Sequence, residues 1–179
     1  MNIGISAYFG KSQSTLYDGI VKNDEVALAA ADSSVVGISM FGLDARYRFQ
    51  GLQLRGQLLY TSLSNTDQYN VFTSPDGSTL NDLGSSMLGY YVETGYNVLR
   101  FADSKKQLIP FIRFEYLNTH HTVESGIAKN FGYEKTTIIT GLTMKLSEGA
   151  VVKAEMQFLK SGDDDQYSNV FNAGFGVMF

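Results

Sequence analysis

Apolar and polar residues alternate along most of this chain with a period of two. That is the repeat of a β-strand with one apolar face. The clearest run is the last: Phe171, Ala173, Phe175, Val177 and Phe179 share one parity, and Asn172, Gly174, Gly176 and Met178 hold the other. Ile3, Ile5, Ala7 and Phe9 oppose Asn2, Gly4, Ser6 and Tyr8 in the first run. Phe41, Leu43, Ala45, Tyr47 and Phe49 oppose Gly42, Asp44, Arg46 and Arg48. Leu52, Leu54, Leu58 and Tyr60 then oppose Gln53, Arg55 and Gln57, and Leu88, Tyr90, Val92, Tyr96 and Val98 oppose Gly89, Tyr91, Glu93, Gly95 and Asn97. Leu108, Pro110, Ile112, Phe114 and Tyr116 oppose Arg113 and Glu115. Ile138, Leu142, Met144 and Leu146 oppose Thr137, Gly141, Thr143 and Lys145, and Val152, Ala154, Met156 and Phe158 oppose Lys153, Glu155 and Gln157. The pattern predicts about eight strands of roughly 9 to 11 residues, the length at which a tilted strand crosses a bilayer.

The connections alternate in length. Gln50-Gly51, 100–107 and 147–150 are short, whereas 10–34, 64–86, 119–135 and 161–168 are mostly longer and polar. Short turns at one end and long loops at the other are the asymmetry of outer-membrane β-barrels. If the chain ends in the periplasm, every short turn falls on the periplasmic side. Tyr47, Phe49, Tyr96 and Phe179 then fall at that rim, and Phe9, Tyr60, Tyr116, Phe158 and Phe171 at the outer rim. These are the two aromatic girdles expected at headgroup boundaries. Glu25 to Ala31 has helix-forming composition, and a short surface helix or a mobile loop is expected there, in preference to a segment folded inward to narrow a pore.

Composition changes this picture little. The chain is the length of one domain, residues 1–179. Mean hydropathy is near zero because the two faces cancel in the average. No apolar run approaches the roughly 20 residues of a spanning helix. Cysteine is absent, which excludes disulfides and thiolate metal sites. The mild acidity argues against a nucleic-acid partner. Met1 opens directly onto Asn2-Ile3-Gly4 without a basic region, apolar core or cleavage site, so the expectation is a mature form with an added Met or a piece of a longer chain.

One parity carries Asp44, Arg46, Arg48, Arg55, Glu93, Arg113, Glu115, Lys145, Lys153 and Glu155. Facing hydrocarbon, each midplane Arg or Lys would cost roughly 2 to 4 kcal/mol, so these ten residues are expected to line the interior. In a small closed barrel they would pair and fill it; in a wide one they would line water. Gly4, Gly42, Gly89, Gly95, Gly141, Gly174 and Gly176 share that side, where they would let the sheet curve or a neighbouring Arg lie flat.

Other chemistry is thin. His120 and His121 are adjacent, so their side chains point to opposite faces, and no partner spacing accompanies them. They are expected to be loop histidines without a role, and the chain is not expected to be an enzyme. Asp163-Asp164-Asp165 lacks the Gly and Glu placement of a calcium loop and is expected to be a solvated turn. No metal or cofactor is expected.

The stretch Phe41-Gly42-Leu43-Asp44-Ala45-Arg46-Tyr47-Arg48-Phe49-Gln50-Gly51-Leu52-Gln53-Leu54-Arg55-Gly56-Gln57 resembles the later strands of large bacterial porins. The similarity is to the phosphate-selective porin family and its Bacteroidetes relatives. Ile3-Gly4-Ile5-Ser6-Ala7-Tyr8-Phe9-Gly10-Lys11 and Pro110-Phe111-Ile112-Arg113-Phe114-Glu115-Tyr116 look like the same family. The resemblance implies the carboxy-terminal half of a wider barrel, and no binding residue is carried over from it.

The expectation is an all-β, antiparallel transmembrane β-barrel in a Gram-negative outer membrane, closed alone or part of a larger barrel. Its expected role is a porin for passive diffusion of small hydrophilic solutes or ions. The alternative is a small, filled eight-stranded barrel with a structural or adhesive role played by its outer loops. Outer-membrane lipid and small solutes are the expected partners, with homo-oligomers left open.

Overall fold

The computed structural model describes residues 1–21, 24–74 and 80–178. Phe179, assigned above to the periplasmic rim, lies outside the described residues. The chain forms one sheet of eight antiparallel strands in sequence order. They are β1 (Asn2–Lys11), β2 (Gly37–Phe49), β3 (Leu52–Ser64), β4 (Ser86–Tyr96), β5 (Gln107–Thr122), β6 (Glu134–Ser147), β7 (Ala150–Ser161) and β8 (Ser168–Val177). Each strand pairs only with its sequence neighbours, so the sheet is open: β1 and β8 do not pair with one another.

Several strands extend past the predicted runs at the long-loop end. β2 begins at Gly37, β5 reaches Thr122 and β6 begins at Glu134. The added residues are mostly Ser, Thr, Asn, His and Lys, which break the apolar alternation but still pair. Of the two options for the first long loop, the helix forms, as α1 (Glu25–Ser33), started by the Asp24 side chain, which accepts from the Ala27 N–H at 3.0 Å. It lies on the surface with Val26 exposed and Ala31 buried. A second helix, α2 (Thr66–Phe72), was not foreseen. It begins after Asn65, whose left-handed backbone lets its amide donate to the Asp32 and Val35 carbonyls at 3.1 and 2.7 Å. The first two long loops are thereby tied together.

At the other end, Gln50 and Gly51 both have positive φ, 48° and 86°. A two-residue turn of this kind matches the right-handed twist of the strands it joins. Arg100 from the β4–β5 connection lies across it, donating to the Gln50 carbonyl. A Cβ on Gly51 would stand 3.0 Å from Arg100 Cδ. The three short turns and the end of β8 border one cavity of about 1550 Å³, which requires the sheet to curl.

The faces divide as the alternation requires. Val92, Ile112 and Phe175 on the apolar face are 59%, 51% and 83% exposed, while Glu93 on the charged face is 7% exposed. Aromatic rings cluster on the apolar face, with Tyr90 5.3 Å from Tyr116 and 6.1 Å from Phe114 between ring centres.

Gly51→Ala is expected to lower stability by about 1 kcal/mol, because it places a side chain at positive φ and against Arg100. The urea midpoint of the refolded protein measures this. A second expectation concerns Tyr17, whose hydroxyl donates to Asp32 Oδ1 at 2.7 Å. That bond and the Asp32 charge hold its pKa above the ordinary tyrosine value, since ionisation removes the donor and sets two anions together. The raised pKa means the tie stabilises the loop at neutral pH and is lost as pH rises through it. Tyrosinate absorbance should show one late-titrating phenol that disappears in Tyr17→Phe.

Candidate functional site

Directly paired residues on adjacent strands share a face, and the register brings all ten predicted charges onto one side. Arg46, Arg55, Glu93 and Arg113 stand directly opposite one another across β2, β3, β4 and β5. Asp44 opposes Gln57, which opposes Tyr91, which opposes Glu115, one pleat further along. Arg48, Lys145, Lys153 and Glu155 lie nearer the short turns on the same face.

Two ion-paired groups result. Glu93 sits between two guanidinium groups: Arg55 bonds its Oε1 through Nε at 3.0 Å and through Nη2, and Arg113 Nη1 lies 3.9 Å from its Oε2. Arg113 also pairs with Glu115 at 2.6 Å and stacks 3.9 Å over the Tyr91 ring. This arrangement offsets the repulsion of Arg46 and Arg55, like charges in direct opposition. In the second group, Lys153 pairs with Glu155 at 2.5 Å, and Gln157 donates to Glu155 at 2.8 Å. Asp44, Arg46, Arg48 and Lys145 make no ion pair among the described residues.

Apolar side chains also occupy this face, which the sequence reading passed over. Ile109, Phe111 and Ile139 are buried there. Phe111 lies over Gly141, where a Cβ would come within 2.8 Å of its ring, and Lys153 Nζ sits 4.7 Å from the ring centre. The space over Gly141 is thus filled by a phenyl ring, not by an Arg. The parity of 109, 111 and 113 is the signal that could have found it.

The ends differ in charge. Arg48, Arg100, Lys105, Lys106 and Lys145 gather around the short-turn cavity with Glu148. The long loops carry most of the acids, among them Asp24, Glu25, Asp67, Glu124 and Asp163 to Asp165. Asp164 accepts from the Gln166 N–H at 2.9 Å, and Asp165 lies 4.0 Å from Lys160 Nζ, so the triplet builds the β7–β8 connection. Among the described residues no cluster of His, Asp and Glu could hold a metal ion.

His120 is placed differently from its neighbour. It is 3% exposed and bonded on both ring nitrogens, to the Asp82 carbonyl and to the Asn130 N–H. His121 points the other way, edge-on to Tyr60 at 6.4 Å. Both histidines lie within β5 and not in a loop, and the burial of His120 under two loops could not be read from spacing.

An uncharacterized protein of Aquifex aeolicus (strain VF5) is 27% identical over 146 residues, covering 79% of this chain. The matched region spans 33% of that relative's own length. No protein-family model matches the chain, and no solved structure matches it.

Glu93→Ala should cost about 2 kcal/mol, because it strands Arg55 beside Arg46 while Arg113 keeps Glu115; the half-exposed Arg55 keeps the loss below that of a fully buried pair. Arg55→Ala should cost less, since Glu93 keeps Arg113. Denaturant titration of both variants and the double variant measures the coupling.

Proposed function

We propose that this sheet is part of a transmembrane β-barrel in a bacterial outer membrane, and that the barrel conducts small hydrophilic solutes or ions through a charged interior. One observation carries the reading. The large side chains of the apolar face, among them Val92, Ile112 and Phe175, are exposed, while on the other face six of the ten charges are ion-paired and Glu93 is buried. In water that distribution is inverted; against lipid it is the stable one. An exposed sheet edge in hydrocarbon costs several kcal/mol for each unpaired backbone group, so the edges of β1 and β8 must be covered. The matched region is only 33% of the relative's length, which supports cover by further strands of a longer chain, in keeping with the resemblance to phosphate-selective porins. Arg46, Arg48 and Lys145, free of ion pairs among the described residues, would then face water and set charge preference, with the paired residues shaping the wall.

The buried Ile109, Phe111 and Ile139 favour a second reading, an eight-stranded barrel filled by its own side chains. There β1 and β8 would pair, and a disulfide should form between Ser6→Cys and Gly174→Cys. The pore reading expects no such bond and a defined conductance for the full-length protein in planar bilayers. A silent bilayer overturns it. Leu43→Arg, on the apolar face, should cost roughly 2 to 4 kcal/mol when the protein is folded into lipid, if that position lies near the midplane. No penalty there would mean that the face does not meet hydrocarbon.

A further inference from the structure

We propose that His120 is a proton-operated clasp that holds the β3–β4 and β5–β6 loops against the end of β5. The inference does not rest on the pore reading. Its first support is the bonding of the ring. Nε2 faces the Asp82 carbonyl, which only accepts, so Nε2 carries the proton. Nδ1 receives the Asn130 N–H at 3.2 Å, so it must present a lone pair. Both bonds together specify the neutral ring. Protonation puts an N–H at Nδ1 directly against the Asn130 N–H and places a cation at a 3%-exposed site.

The second support is what the clasp joins. Asp82 belongs to the loop after α2, and Asn130 to the loop after β5. Around the ring the loops are closely fitted. Asn70 binds Leu83 through both amide atoms at 2.9 Å, and Thr66 donates to Glu124 at 3.0 Å, joining the same two loops. Asn118, 1% exposed, accepts from the His120 N–H at 2.8 Å, and the Tyr133 ring packs 4.4 Å from the imidazole. A Cβ on Gly84 would stand 3.2 Å from His120 Cδ2.

Among the described residues no carboxylate is paired with the His120 ring, and the charged groups around it bond elsewhere. Glu134 is bonded by Asn118 Nδ2 at 3.2 Å, and Glu124 by Thr66. Lys129 reaches the His121 carbonyl at 3.4 Å, and His121 lies on the opposite side beside Tyr60. Asp82 meets the ring through its carbonyl. Acid favours the charged ring, which this arrangement does not accommodate, so acidification should weaken the hold on both loops together.

The test is hydrogen exchange of the full chain in detergent micelles at about pH 8 and about pH 5. The amides of β2 and β3 serve as internal reference for the intrinsic pH effect. Residues 80–85 and 124–133 should lose about tenfold in relative protection at the lower pH. His120→Gln, whose amide has both a donor and an acceptor end and does not titrate, should keep the loops protected at both pH values. His121→Gln should behave as the wild type. Equal relative protection of the wild-type loops at both pH values overturns the proposal without recourse to any variant. A pH-dependent loss of the same size in His120→Gln overturns it as well.

Discussion

The alternation of a strand leaves no freedom to mix its two faces. Successive side chains point to opposite sides, and directly paired residues on neighbouring strands share a side. Eight strands in sequence order therefore add their parities into one apolar surface and one charged surface. Each must meet a medium that tolerates it. The charged side uses Glu93 as a wedge between Arg55 and Arg113, which lets a row containing three guanidinium groups exist at all. The apolar side leaves large side chains such as Val92, Ile112 and Phe175 exposed among the described residues.

The two ends of the sheet are built by different means. At the short-turn end, backbone geometry does the work: Gln50 and Gly51 turn the chain in two residues, and Arg100 braces them. At the long-loop end, side chains do it. Asn65, Asn70, Asn118 and His120 are polar residues that bond the loops to one another and to β5. Their polar groups are hydrogen-bonded, which is what makes burial at that end stable.

The strands and their order of long and short connections were legible because the period-two signal is local, and α1 was one of two options left open by the helix-forming composition of Glu25 to Ala31. Extension of β2, β5 and β6 beyond their predicted limits was not, since those residues pair through the backbone without alternating in polarity. α2 was hidden because it is short, and its start depends on a left-handed Asn65 that bonds the first loop. The charged residues of the site were legible as a set by parity. Which of them pair was not, because pairing depends on register across strands, and register is a long-range property.

Taken alone, the sequence determined that there would be strands with one greasy side and one ionic side, since side-chain chemistry and a two-residue repeat suffice for that. The tertiary structure decided that Arg55, Glu93 and Arg113 meet in one row, that Phe111 fills the space over Gly141, and that two distant loops close over His120. Those outcomes join residues far apart in the chain, and only the register and curl of the assembled sheet bring them within a few ångströms.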